Sequence, residues 1–415
     1  MSLKHKKSAA VVAAAALSGL PAAHAGPYGY DLHNTLAPAS GGLAGTSLAR
    51  PQDTVSSVFG NPASLTQFKG TQFTFGATFY MPNVHLEHDG SVTGTAFSRD
   101  SGTDIFPVPQ IAVTQDLGRL NIPATVGFGL TAVSGIGSEF RGTAASLGAG
   151  AEFIVFGVNA GLGYEITDNL SLGGAATISF AQLDLGLSST SAETHALGLR
   201  ATLGLTYDLG ASTLGLYYQT EQKHKFQNII ETSPGSYADL DIEQPANVGF
   251  GVANNSLMGG KLLVMADVLY KFWEDTDFWG DLYQDQWVFS TGAQLSAGKW
   301  RYRIGYGYGE DPTDSNASAP IGGLTQINSS FGVIPLSDPV VNYLQATQTE
   351  VIYKHRATIG LGYAGFLIPE LDVDLHFGWQ FEESRDYGTG SLSGGGATEA
   401  EVSSWHAGAG LTWKF

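Results

Sequence analysis

The side chains best placed for chemistry in this sequence are basic. Arg301 and Arg303 stand two apart in Trp300-Arg301-Tyr302-Arg303-Ile304-Gly305-Tyr306, and Lys354 and Arg356 repeat that spacing in a later segment. Guanidinium groups sharing one face suit bidentate recognition of a carboxylate head group. The same cations can instead pair internally with Asp372 and Asp374, which alternate in Leu371-Asp372-Val373-Asp374-Leu375. Internal pairing is the plainer reading, and the head-group clamp is the functional one.

Other chemistry is not signalled. Glu274, Asp275, Asp277, Asp281 and Asp285 form an acidic run, but the spacing lacks the sixth-position Gly and closing Glu of a calcium loop, so a solvated loop is expected. The ten His residues contain no His-Glu-x-x-His or His-x-x-x-His pair, and no Gly-x-Ser-x-Gly elbow occurs. No metal, cofactor or catalytic residue is therefore expected, and the chain is not read as an enzyme.

The elements that carry the basic pair are strands. In Leu197-Gly198-Leu199-Arg200-Ala201-Thr202-Leu203 the odd positions are apolar and the even ones are Gly, Arg or Thr. Residues 371–381 and 300–309 alternate in the same way. Lipid on one side and a lumen on the other explains this period of two. An Arg facing lipid at mid-membrane costs roughly 2–4 kcal/mol, which turns Arg200, Arg301 and Arg303 inward. The same alternation turns Leu263, Met265 and Leu269 inward, either lining an apolar pocket or packing on something within the barrel. About fourteen such segments lie between residues 71 and 415, the third of them ending near 133. Short turns such as Thr167-Asp168-Asn169 alternate with long connections such as 311–349, the asymmetry of an outer-membrane barrel.

Composition agrees. Charged residues make up 14% of the chain and 55 of 415 residues are Gly, whereas soluble domains carry about a quarter charged residues. Residues 1–25 read as a removable export signal: Lys4, Lys6 and Lys7, an apolar run, then Ala23-His24-Ala25. Its removal would leave 390 residues with 17 basic side chains against 38 acidic ones, a net charge of −21. Such acidity excludes nucleic-acid binding, and the absence of Cys excludes a disulfide scaffold. Trp273, Trp279 and Trp287 are expected in the interfacial aromatic girdle.

Residues 26–70 show neither period, carry few charges and retain several Leu, Val and Phe residues. Disorder goes with low hydrophobicity and high charge, so a compact plug within the lumen is expected. The turn Asn61-Pro62-Ala63 precedes the first strand. The last strand ends on Phe415 and resembles the terminal signal by which outer-membrane barrels are recognised for assembly.

In that setting the chain resembles the FadL/TodX family of outer-membrane transporters for hydrophobic compounds. Asn61-Pro62-Ala63 resembles the family's plug motif, and Phe106-Pro107-Val108-Pro109, Gly127-Phe128-Gly129-Leu130, Tyr164-Glu165-Ile166-Thr167-Asp168-Asn169 and Gln244-Pro245-Ala246-Asn247 follow in order. The resemblance implies an all-β, fourteen-stranded transmembrane barrel in the bacterial outer membrane, divided as signal peptide 1–25, plug 26–70 and barrel 71–415. It also implies uptake of long-chain fatty acids or hydrocarbons through a lumenal pocket, plug rearrangement and release through a gap beside a kinked third strand. Ser134, Gly135 and Gly137 are the candidate kink, or else the start of an external loop. The partners expected are the hydrophobic ligand, outer-membrane lipid and lipopolysaccharide, and the assembly machinery, with the chain a monomer. One departure stands out: the family's long connection between strands five and six is here only about 186–192. Either external capture uses other loops, with the 273–279 loop and 311–349 as candidates, or that first docking step is lost. An adhesin acting through its loops, or a general porin, are the rival readings.

Overall fold

A computed structural model describes residues 33–102, 105–187, 194–329, 332–349 and 354–415; the expected leader lies outside the described residues. Fourteen antiparallel strands close into a barrel in which the first pairs with the last, and the short strand Phe97–Asp100 adds to the end of the first. They are β1 (Thr71–His88), β2 (Phe106–Asp116), β3 (Ala124–Glu139), β4 (Ala149–Glu165), β5 (Leu170–Leu187), β6 (Thr194–Asp208), β7 (Ser212–Gln219), β8 (Asn247–Leu257), β9 (Leu262–Lys271), β10 (Gln286–Ala297), β11 (Trp300–Gly309), β12 (His355–Tyr363), β13 (Leu371–Tyr387) and β14 (Thr398–Lys414). Closure pairs the first and last strands, so neither end of the sheet is left facing lipid. The seam runs from Gln72 opposite Lys414 to His88 opposite Thr398, and Phe415 exchanges backbone hydrogen bonds with Thr71.

Alternation sets the two faces. On β6, Leu197, Leu199 and Leu203 are exposed toward lipid while Arg200 and Thr202 are buried in the lumen. All connections at the end carrying residue 70 and Phe415 are short, and the long ones gather at the opposite, external end.

Residues 36–66 fill the lumen as a plug. Its helix α1 (Thr54–Phe59) starts at Asp53, whose carboxylate accepts from the Ser56 N–H at 2.7 Å, a cap worth about 1 kcal/mol. The other Asp53 oxygen accepts from the N–H groups of Ala39 and Ser40 at 3.0 and 2.9 Å, stapling the two halves of the plug. The plug lies close against the wall because the strands present glycine to it. A Cβ on Gly204 would sit 2.0 Å from Asn61 Oδ1, and one on Gly305 would sit 2.4 Å from Ala44 N. This close approach accounts for much of the glycine content. Leu43 and Leu48 are fully buried in the contact, each contributing about 1.5–3 kcal/mol.

The external mouth is capped. The hairpin Gln222–Ser233/Ser236–Gln244 leans over β5 and β6, with His224 Nε2 2.7 Å from Ser179 Oγ. Helix α2 (Asp338–Gln348), inside the long connection between β11 and β12, is buried from Val340 to Gln348. Tyr343 donates to Ser146 O at 2.8 Å, and Gln345 donates to Leu282 O at 2.8 Å. Burial pushes the Tyr343 phenol above its ordinary range. The girdle expectation needs correction here. Trp287 is exposed, but Trp273 and Trp279 are 1% and 2% exposed and pack on Tyr283 inside the cap. Their segment folds inward as a loop core instead of ending a strand at the membrane surface.

Candidate functional site

The third strand carries one of three bulge-like register shifts among the described barrel strands. Ala132 pairs with Phe156 and Ser134 with Val155, so Val133 is an extra residue bulged from the β3–β4 ladder. Bulges bend a strand and disrupt its pairing. The strand does not end there as the periodicity suggested; it continues through Ser134, Gly135 and Gly137 to Glu139 along β4. The irregularity thus falls one residue before the candidate kink.

On its other side β3 loses its neighbour. Pairing with β2 runs from Asp116–Thr125 to Gln110–Thr131 and stops, whereas β2 keeps pairing with β1 as far as Phe106–Tyr80. Among the described residues, Phe106 to Pro109 therefore have no ladder partner on the β3 side. Pro107 and Pro109 fall within this free edge, where a missing N–H costs the sheet nothing. The Phe-Pro-Val-Pro stretch is thus the part of β2 that lies beyond its pairing with β3.

The plug stands directly behind it. Leu36 packs against Tyr80, Phe106, Val108, Ala132 and Ile154. Leu36 O accepts from Thr78 Oγ1 at 2.8 Å and also from Gln110 Nε2. Beside this contact lies a cavity of about 50 Å³ between Leu36, Val55 and Phe59 of the plug and Thr131, Val133 and Arg200 of the barrel. A cavity of 150 Å³ holds benzene, so in this conformation the space is too small for such a ligand. Enlarging it means moving the plug.

Asn61, Pro62 and Ala63 anchor that plug. Asn61 Nδ2 donates to Leu48 O at 2.9 Å and to Leu205 O of β6 at 3.0 Å, and Asn61 Oδ1 accepts from Ala63 N at 3.1 Å. One amide thus ties two parts of the plug to the wall and starts a short helix with Pro62 at its first position. Fully buried Ala63 lies over Gly173, whose Cβ would come within 2.3 Å of the Ala63 nitrogen.

The basic residues lie elsewhere, and they are paired. Arg303 Nη1 meets Asp374 at 2.6 Å and its Nε donates to Gln294 at 2.7 Å; Arg301 meets Asp372 at 3.1 Å. Lys414 also reaches Asp372, at 2.6 Å. Arg356 lies opposite Gly307 on the neighbouring strand, near Ala44 of the plug. Arg301, Asp372 and Asp374, with Arg50 and Asp53, line a polar vestibule of about 440 Å³ beneath the plug. The ion-pair alternative is the arrangement seen. Leu263 and Met265 pack with Leu43 and Ala49 of the plug, and Leu269 packs with Leu48. They seat the plug and do not line the cavity.

At the external end, Lys223 of the hairpin pairs with Asp277 and, at 3.2 Å, with Asp241. Hydrogen bonds to Asp277 first and Asp241 second hold its ammonium above the usual lysine range. The two stretches nominated for external capture meet here. Phe278 and Leu282 face Ile321 and Leu344 of the long connection around an apolar cavity of about 40 Å³. The shortened connection after β5 lies largely outside the described residues.

The sequence profile of one family, described as outer membrane protein transport protein (OMPP1/FadL/TodX), matches residues 32–240, just over half the chain. The chain belongs to the FadL/TodX family. FadL/TodX members are outer-membrane channels for hydrophobic compounds, and the family places this barrel in the bacterial outer membrane. Solved structures share the fold. The Pseudomonas putida toluene transporter TodX aligns over 91% of this chain and 98% of its own, with a TM-score of 0.62 at 18% identity. A Pseudomonas aeruginosa FadL homologue aligns over 94% and 100%, with a TM-score of 0.68 at 15% identity. The Ralstonia pickettii toluene transporter TbuX aligns over 92% and 99%, with a TM-score of 0.63 at 17% identity. No curated protein matches the chain in sequence.

Of the residues behind this FadL/TodX site, the sequence pointed to Arg200 through alternation alone. Leu36, Val55 and Phe59 carried no signal, because an irregular plug has no period to read.

Proposed function

We propose that this FadL/TodX protein passively takes up a hydrophobic small molecule, which meets the external cap between Phe278 and Leu344, reaches the cavity beside Leu36 and leaves sideways between β2 and β3. The observation that carries this reading is the loss of β2–β3 pairing beyond Gln110–Thr131, opposite the bulged Val133 and directly in front of the plug.

Energetics favour the sideways exit. An apolar solute gains about 0.8 kcal/mol for each CH₂ removed from water. The vestibule below the plug is walled by Arg50, Asp53, Arg301 and Asp372, so a downward path offers no such gain. A parting that opens into the hydrocarbon of the bilayer does. Toluene, carried by TodX and TbuX as those transporters are named, and long-chain fatty acids are the starting candidates for cargo.

Deletion of Val133 tests the route, since it lets β3 pair with β4 without interruption. Uptake of labelled toluene or oleate into cells should fall to the level of cells lacking the protein, while the barrel still inserts. Undiminished uptake would contradict lateral exit.

A further inference from the structure

The cavity beside Leu36 has one apolar side and one polar side, and two glutamines on the polar side carry unsatisfied amide atoms. Gln222 is 0% exposed, and neither its Nε2 nor its Oε1 has a hydrogen-bond partner. Gln110 is 1% exposed; its Nε2 is used by the plug and its Oε1 has no partner. Both side chains line the cavity, together with Arg200, whose guanidinium donates to Gln219 Oε1 at 3.2 Å and to Pro245 O at 2.8 Å. Leu36, Val55, Phe59 and Val133 form the facing apolar side.

Buried amide groups without partners are costly, and a ligand that supplies partners recovers that cost. Two ligand chemistries can be compared at these three amide atoms, one donor group and two acceptors. A plain hydrocarbon satisfies none of them. A hydroxyl both donates and accepts, so it can accept from Gln222 Nε2 while donating to the oxygen of Gln110 or Gln222.

We infer that Gln222, with Gln110, makes the lumenal cavity, once enlarged by plug movement, selective for apolar compounds bearing a hydroxyl group, such as alkylphenols or alcohols, over the parent hydrocarbon. This rests on the lumenal route proposed above and names the cargo that route would carry. Gln222 begins the hairpin that leans over β5 and β6, so the selecting amide comes from the external cap and the apolar side from the plug. Access, plug position and selection would thus meet at one point.

The test uses the full-length protein purified in detergent and two radiolabelled probes of matched size, ethylbenzene and 4-ethylphenol. Wild type should bind 4-ethylphenol about tenfold or more tightly than ethylbenzene, as expected where a site is built to hydrogen-bond its ligand. Gln222→Leu should reduce that preference to within about twofold while ethylbenzene binding holds or rises. Gln110→Leu, kept as a second variant, should weaken it in the same direction. Equal or tighter binding of ethylbenzene by wild type would overturn the inference, as would an undiminished phenol preference in a folded Gln222→Leu protein. Uptake into cells separates the two claims: protein-dependent uptake of both probes at similar rates sinks the selectivity alone, whereas no protein-dependent uptake of either probe sinks the transport reading.

Discussion

The Asp267 carboxylate on β9 accepts the backbone N–H of Ser47 at 2.6 Å and, through the same oxygen, that of Leu48 at 3.0 Å. A buried acid on the wall thereby holds the middle of the plug by its main chain, independently of which side chains the plug carries there. Asp267→Ala leaves two buried donors without an acceptor, at about 1–3 kcal/mol each. Asp267→Asn keeps an acceptor and should cost less. Hydrogen exchange of residues 45–50 should quicken strongly in the first variant and modestly in the second. Equal protection in all three proteins would remove Asp267 from the account.

Glycine against the plug gives a second prediction. Gly204→Val drives a side chain into Asn61 Oδ1, whereas a Cβ on neighbouring Gly174 meets only Leu203 Cδ2 at 3.9 Å. Overpacking of this kind costs about 1–3 kcal/mol. Gly204→Val should therefore loosen the plug and admit small hydrophilic antibiotics, and Gly174→Val should not. Heat-modifiable gel mobility checks that both barrels fold. Equal antibiotic sensitivity of the two variants would contradict the fit described.

The Arg303–Asp374 pair separates structure from recognition. Both side chains are buried, at 0% and 5% exposure, and removing one partner of such a pair costs about 3–5 kcal/mol. Arg303→Met should lower the thermal midpoint sharply. The double variant Arg303→Met/Asp374→Leu should recover most of the loss and retain uptake of an anionic cargo. Loss of uptake in the stable double variant would restore the head-group clamp.

A pH effect is expected outside the membrane. Asp89 accepts the Ser391 N–H at 2.8 Å and the Ser91 N–H at 2.8 Å, joining two external connections. Partial burial pushes this carboxyl up, but the hydrogen bonds from Ser91 and Ser391 outweigh it and hold it down at about 2. The folded value lies below the unfolded one of about 3.9. The stabilisation is therefore complete above about pH 4 and is lost as pH falls toward 2. The Ser391 amide resonance should titrate with a midpoint near 2, and should lose that step in Asp89→Asn. A midpoint at the ordinary carboxylate value would contradict the tether.

The barrel was legible because lipid enforces a period of two. Each of the fourteen strands left its mark, from Phe73-Thr74-Phe75 to Leu411-Thr412-Trp413. Inward Arg200, Arg301 and Arg303 followed from the same rule. What alternation cannot report is which inward residues face a plug, a cavity or a vestibule. Leu263, Met265 and Leu269 read equally well as a pocket or as plug packing until Leu43 and Leu48 were placed beside them. Trp273 and Trp279 misled because aromatic residues at strand ends mark the membrane surface only when the following loop turns outward. The Val133 bulge lies in a run of small residues where one extra position leaves little trace. Asn61-Pro62-Ala63 was visible as a turn, but its double grip on Leu48 and Leu205 depends on chain brought close by the fold.

The central claim is that cargo passes only when the plug moves, and the chain's lack of Cys permits a direct test. Thr54 Oγ1 of the plug lies 2.6 Å from Thr74 Oγ1 of β1, and Thr66 Oγ1 lies 3.0 Å from Ser171 Oγ of β5. The double variants Thr54→Cys/Thr74→Cys and Thr66→Cys/Ser171→Cys place sulfurs within reach of the disulfide bond length of about 2.05 Å. Initial uptake rates of labelled cargo would be compared in oxidised and reduced cells. The account predicts uptake at background when the plug is tethered and full recovery on reduction; unchanged uptake through the oxidised, tethered protein would contradict it.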